Sequence, residues 1–278
     1  MKEIVRVDFV AVPQRDLVLP PLTSKVVKEL VLSGKLLPSL SGLIKSRDKD
    51  KPVFVSNLGL NGRRLYSSGR VISVRAGDRL HFFVSFPHYD DFLSELWSGT
   101  FTTSYGEFYV DVAEVKVVDL DELSKVDLNG KTFLVEFVTP TLFSSKVLLP
   151  PRLKEKYKGV KPGYSLIPSV GLILAYAYKA YSSLLGKGAR EEVTYRLGVL
   201  GNALSRVISY DLRPVTVVIG RDGRGNFREA RGFVGWLEFD IADVNLKRRA
   251  AKYLLVSSFL GLGKSRGIGL GEVKVELK

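Results

Sequence analysis

The sequence predicts an α+β protein of two tandem ferredoxin-like (RRM-like) domains, residues 1–126 and 127–278, with a glycine-rich loop near the C-terminal end. Three observations carry this: an element order that repeats along the chain, a polar stretch between the two runs, and a charge balance that differs between the halves. With 278 residues, 45% of them hydrophobic, the chain is long enough to bury two cores.

The first run opens with a strand over residues 1–13, with Val5, Val7, Phe9 and Ala11 on one face. Its other face, Ile4, Arg6, Asp8 and Val10, is mixed and is expected to look outward. Thr23 or Ser24 caps a helix through Val26, Val27, Leu30 and Val31 to about Gly34. A long loop follows from Leu36 and ends Lys45-Ser46-Arg47-Asp48-Lys49-Asp50-Lys51. Strands are expected at Val53–Leu58, Arg70–Arg75, Leu80–Phe86 and Glu107–Val118, with a short helix from Tyr89 to Trp97. Ser124 to Gly130 reads as the linker.

The second run has a strand at Thr132–Val138 and helical segments at Val170–Leu185 and Glu191–Ser209. Strands follow at Pro214–Ile219 and Phe233–Phe239, around a turn over residues 220–226 whose two arginines form a solvated tip. A last helix capped by Asp243, with Leu246, Ala250, Tyr253, Leu254 and Leu260 as its apolar positions, precedes a strand from Glu272 to Leu277. The apolar run Leu166–Tyr178, interrupted by Pro168, is too short to span a bilayer and reads as core.

Between that last helix and strand stands Gly261-Leu262-Gly263-Lys264-Ser265-Arg266-Gly267-Ile268-Gly269-Leu270-Gly271. Its five glycines leave little side-chain bulk, so another polymer has close access to the backbone N–H groups, with Lys264 and Arg266 beside them. Gly263-Lys264-Ser265 is not the end of a nucleotide-binding loop, because Ser258 stands where the first glycine is needed and the flanking order is helix–loop–strand.

Composition narrows the partner. Residues 1–130 carry 17 bases and 17 acids, residues 131–278 carry 25 and 12, so the whole excess of +13 lies in the half with the glycine loop. A positive field confined to one domain suits a polyanion, and no basic amphipathic helix suited to a membrane surface stands out. Nucleic acid is therefore the expected partner. No cysteine is present, which removes thiolate chemistry and fits a cytoplasmic protein. Only His81 and His88 offer imidazole, without metal-ligand spacing, so both are read as structural and neither a metal nor another cofactor is expected.

Glycine–apolar–glycine at both ends of a basic stretch, near the C-terminus and after an amphipathic helix, resembles the signature of the CRISPR-associated repeat-processing endoribonucleases. These form the sixth family of CRISPR-associated proteins, in the RAMP superfamily. Leu134-Val135-Glu136-Phe137-Val138-Thr139-Pro140-Thr141 is similar to the start of that family's second domain, and Arg231-Gly232-Phe233-Val234-Gly235-Trp236 to the strand before its last helix. The resemblance implies CRISPR repeat RNA as substrate, cut without metal by attack of the neighbouring 2′-hydroxyl, leaving 5′-hydroxyl and 2′,3′-cyclic phosphate ends. It also implies RNA contacts from Gly261, Gly263, Lys264, Ser265, Arg266, Gly267, Gly269 and Gly271. Effector-complex subunits and a second copy of the chain are its further expected partners.

Many family members place a histidine on or after the first helix, yet none occurs here between Thr23 and Lys51. Lysines occupy that region. Lys25 and Lys28 share a helix face, Lys51 closes the long loop, and neighbouring cations lower a lysine's pKa toward the useful range. Lys28 is expected as the principal catalytic group, with Lys25, Lys51 and Arg231 assisting. The missing histidine also leaves a second reading, a RAMP-type subunit that holds guide RNA without cutting it. A third is a basic RNA-binding protein unrelated to CRISPR.

Overall fold

The computed structural model describes residues 3–46, 48 and 50–278, without the side chain of Ser124. Arg47 and Lys49, part of the expected basic loop, lie outside the described residues.

The first sheet is built on β1 (Glu3–Pro13), β2 (Phe54–Val55), β3 (Leu80–Pro87) and β4 (Gly106–Asp119). β1 lies between β3 and β4, β2 borders β3, and every pairing is antiparallel, which is the ferredoxin-like strand order. Alternation along β1 sends Val5, Val7, Phe9 and Ala11 into a core shared with Val26, Val27, Leu30 and Val31 of helix α1 (Ser24–Leu32). Phe9 stacks on Phe82 of β3 with ring centroids 4.9 Å apart.

Several local expectations change. Ile72–Val74 pairs with Leu17–Leu19 in a separate two-stranded ribbon. The expected Tyr89–Trp97 helix is a single 3-10 turn, Phe92–Glu95, and Gly99–Thr103 adds an edge strand to β4. The long loop is structured: Pro38–Leu40 and Ser41–Lys45 form short helical turns, and Leu36, Leu37, Leu40 and Ile44 reach the core.

The second sheet comprises β5 (Phe133–Thr141), β6 (Ser205–Arg221), β7 (Phe227–Ile241) and β8 (Val273–Leu277), in the order β6-β7-β5-β8. Helices α2 (Val170–Leu184), α3 (Glu191–Ala203) and α4 (Val244–Leu260) complete this unit. α2 is buried along most of its length, as expected of a core helix. The Asp243 carboxylate caps α4 by accepting from the Leu246 N–H at 2.7 Å. α3 stops at Ala203, and the residues to Ser209 that were expected as helix instead begin β6. β6 and β7 form one long hairpin whose turn is held by Asp222 accepting from the N–H groups of Arg224 and Asn226, both at 2.9 Å.

The mixed face of β1 does not look outward. Ile4 is fully buried, packed with Leu120, Ala180, Leu184, Val256 and Leu260, so α2 and α4 of the second unit cover this end of the first sheet. Arg6 lies with its guanidinium 3.7 Å from the Phe83 ring centroid and makes two hydrogen bonds to Asp8. A second shared cluster joins Leu22, Leu142, Val217, Ala230 and Leu270. No helix among the described residues is long and apolar enough to cross a membrane.

Candidate active site

Three segments meet where the two units join: the start of α1, the chain from Asp50 to Asn57, and the glycine loop. Thr23, the residue before α1, makes no side-chain cap. Its hydroxyl donates to the Leu65 carbonyl at 2.6 Å and accepts from the Leu58 N–H at 2.9 Å. Ser24 donates through Oγ to the Ile268 carbonyl at 2.7 Å, and Asn57 donates through Nδ2 to the Gly269 carbonyl at 2.7 Å. The Asn57 Oδ1 accepts from the Ser24 N–H at 3.1 Å, closing a buried polar knot between first helix and glycine loop. Just beyond the loop, Glu272 receives Arg64 through both carboxylate oxygens, at 2.8 and 3.0 Å.

The loop uses its bare backbone within the protein. Leu262 donates to Gly271, Lys264 to Leu142, Gly271 to Pro140, and Ile268 and Gly269 close the 3-10 turn Arg266–Ile268. At Gly271, with φ +74°, a Cβ would lie on the Leu262 carbonyl oxygen, so only glycine fits. Gly261, Gly263 and Gly269 are likewise buried against protein. The expectation that all these glycines lie open to a second polymer is therefore corrected: the accessible part is the tip, Lys264, Ser265, Gly267 and Ile268. Arg266 also turns inward. It is 5% exposed and donates to the Leu260 carbonyl at 3.1 Å, and burial depresses its pKa against the pull of Asp50 and Asp48.

The tip faces a cavity of about 460 Å³ whose wall includes Lys28, Lys51, Lys179, Lys264, Tyr164 and Tyr176. Burial, then the charges of Lys51 and Lys25, brings the Lys28 ammonium down to a pKa of about 8. Lys51 donates through Nζ to the carbonyls of Ile44 and Ser46 at 2.6 and 3.2 Å, and burial lowers its pKa while Asp48 opposes the shift. Lys179 pairs with Asp50 at 2.8 Å. Tyr176 stacks on Phe143, and burial raises its phenol to about 12.

Of the expected catalytic group, Lys28 and Lys51 line this cavity, while Lys25 acts on it through its charge. Arg231 does not join them. It stands exposed on β7, paired across the hairpin with Thr216, and is not part of the cavity wall. His81 and His88 are also elsewhere: His81 is exposed on β3, and His88 follows β3 with Nδ1 3.6 Å from the Glu3 carboxylate. Among the described residues no group of three or more histidines, aspartates or glutamates is arranged to hold a metal ion. Tyr164, Tyr176, Lys179 and Asp50 carried no sequence signal, because their segments are joined to the lysines only by the docking of the two units.

Lys28, its pKa brought down to about 8, thus shares one cavity with the glycine-loop tip. Residues 5–118 match the family model of the Cas6 N-terminal domain, and residues 135–273 match that of the CRISPR-associated endoribonuclease Cas6. The chain belongs to the Cas6 endoribonuclease family. Two Saccharolobus solfataricus relatives, CRISPR-associated endoribonucleases Cas6 1 and Cas6 2, are 50% and 49% identical to it. Those alignments span 99% and 100% of this chain and 97% and 98% of the relatives. Among solved structures, a Cas6 product complex superposes with a TM-score of 0.64 at 16% identity, covering 99% of this chain and 100% of the other. Thermus thermophilus Cas6 gives 0.62 at 16% identity, covering 99% and 98%. These likenesses establish the tandem ferredoxin-like fold as that of Cas6 structures.

Proposed function

We propose that this Cas6 endoribonuclease cuts CRISPR precursor RNA within each repeat, without a metal ion, and that the lysine cavity is where it cuts. The observation that carries the reading is the placement of Lys28 and Lys51 on one cavity wall beside the loop tip, where burial and the charges of Lys51 and Lys25 bring Lys28 to a pKa of about 8, low enough for part of it to accept a proton near neutral pH. Neutral Lys28 takes the proton of the 2′-hydroxyl preceding the scissile phosphate. The freed oxygen attacks phosphorus, the bond to the 5′-oxygen breaks, and the products are a 2′,3′-cyclic phosphate and a 5′-hydroxyl. Lys51, as its ammonium, offsets charge on the phosphoryl oxygens and supplies the proton to the leaving oxygen. Lys25 assists by lowering the pKa of Lys28, and Lys264 at the loop tip holds a flanking phosphate. Arg231, Arg221 and Arg224 on the β6–β7 hairpin lie outside this chemistry and contribute to holding RNA.

The excess of 13 positive charges in residues 131–278 supports an RNA partner for the same site. Incubating purified protein with end-labelled repeat RNA in EDTA tests the whole reading. One defined cut with those two ends is the expected result. Intact RNA, or fragments lacking a cyclic phosphate, would refute it.

A further inference from the structure

The mechanism above uses every lysine on the cavity wall except Lys179, which Asp50 already holds, but none of the wall's aromatic rings. Tyr176 is 5% exposed and its ring is committed to Phe143, with centroids 4.8 Å apart and planes within 9°. Tyr164 differs. The residue keeps 38% of its surface open and lines the same cavity as Lys28 and Lys51. The backbone beneath it is anchored, since the Ser165 N–H donates to the Phe143 carbonyl at 2.8 Å and the Ser165 hydroxyl donates to the Ile167 carbonyl at 2.6 Å. The Lys264 ammonium stands 5.6 Å from the ring centroid, so a phosphate-binding cation and a flat π-surface are side by side.

The chemistry calls for such a surface. In a stacked RNA helix the 2′-oxygen is not in line with the bond to the leaving 5′-oxygen, so the two nucleotides at the cut must be splayed apart. A base removed from its neighbour loses stacking, and an aromatic side chain restores it with little regard to sequence. We infer that Tyr164 is a positioning residue: its ring stacks on one of the two bases flanking the scissile phosphate while Lys264 holds an adjoining phosphate, and this keeps the nucleotides in the in-line arrangement. The inference rests on the cleavage reading given above.

Single-turnover cleavage by the full chain tests it, comparing wild type, Tyr164→Phe, Tyr164→Leu and Tyr164→Ala. The substrates are intact repeat RNA and two RNAs made abasic on the 5′ or the 3′ side of the mapped cut. On intact RNA, Tyr164→Phe stays within about threefold of wild type. Tyr164→Ala and Tyr164→Leu slow by roughly 10- to 100-fold, in keeping with the loss of one base–aromatic stack. On one of the abasic RNAs the wild type falls to the level of Tyr164→Ala, which itself slows no further. Equal rates for wild type and Tyr164→Ala would overturn the inference. So would a Tyr164→Phe defect as large as that of Tyr164→Ala, or abasic losses that simply multiply with the Ala defect at both positions. A wild type that leaves intact repeat RNA uncut would remove the cleavage reading itself, which the comparison among variants distinguishes from failure of the stacking role.

Discussion

A lysine that is neutral only in part near pH 8 ties the rate of its reaction to pH in one direction. If Lys28 accepts the 2′-proton, the cleavage rate rises about tenfold per pH unit below its pKa and flattens above about 8 as the neutral fraction saturates, then falls once Lys51, whose own pKa burial lowers, loses the proton it donates. Lys28→Ala should be slower by about 10²-fold or more and should lose that rise. A single-turnover pH profile of both proteins checks this, and a wild-type rate that falls with rising pH already below about 8 would assign Lys28 the opposite proton role. Binding divides differently between the two loop cations. Lys264 reaches the tip, whereas Arg266 is sealed against Leu260. Lys264→Ala should therefore make the plot of log affinity against log salt shallower by about 0.7, the increment for one phosphate contact on single-stranded RNA, and Arg266→Ala should leave the slope unchanged while lowering the melting temperature. Lys25 and Lys28 were legible because a helix sets residues three apart on one face. Arg266 was not, since nothing in a basic, glycine-rich string tells which of two cations turns inward.

At the scale of the element, the glycine loop separates positions that the fold requires from one that tunes the site. At Gly271 an added Cβ would collide with the Leu262 carbonyl oxygen at a positive φ, and neither backbone can give way. Gly271→Ala should cost several kcal/mol, read as a large drop in the urea midpoint. Gly267 is different: its Cβ would meet only the far end of the Lys51 side chain, Cε at 2.9 Å and Nζ at 3.6 Å, rather than backbone. Gly267→Ala should keep the midpoint nearly unchanged yet slow cleavage, because Lys51 must move aside; equal losses of stability in the two variants would contradict this division. The sequence pattern marked this loop without telling what its glycines meet, because close approach of backbones comes from tertiary packing. The same reason explains Arg231. Residues 214–219 and 233–239 alternate strongly enough to be read as short strands, but their extension into a hairpin spanning 205–241 sets Arg231 opposite Thr216, away from the lysines.

For the molecule as a whole, the order of strands and helices was legible because each half repeats one plan of alternating and helical periodicities. The packing of one half on the other was not. The mixed face of β1 looks half-polar in sequence, and its burial follows from α2 and α4 lying over Ile4. The pair Arg64–Glu272 spans the same junction, with side chains 14% and 7% exposed. Glu272→Ala should destabilise the protein by about 3–5 kcal/mol by leaving the guanidinium without its carboxylate partner, measured by urea unfolding. A loss below about 1 kcal/mol would indicate that water reaches Arg64 freely.

The knot of Ser24, Asn57, Ile268 and Gly269 carries a consequence for the life of the chain. The lysine-bearing helix is translated before the glycine strip that completes its pocket, 244 residues separating Ser24 from Ile268. A polypeptide cut short before Ile268 therefore lacks the contacts that close this cavity, and the cutting proposed there should arise only after residue 271 has been made.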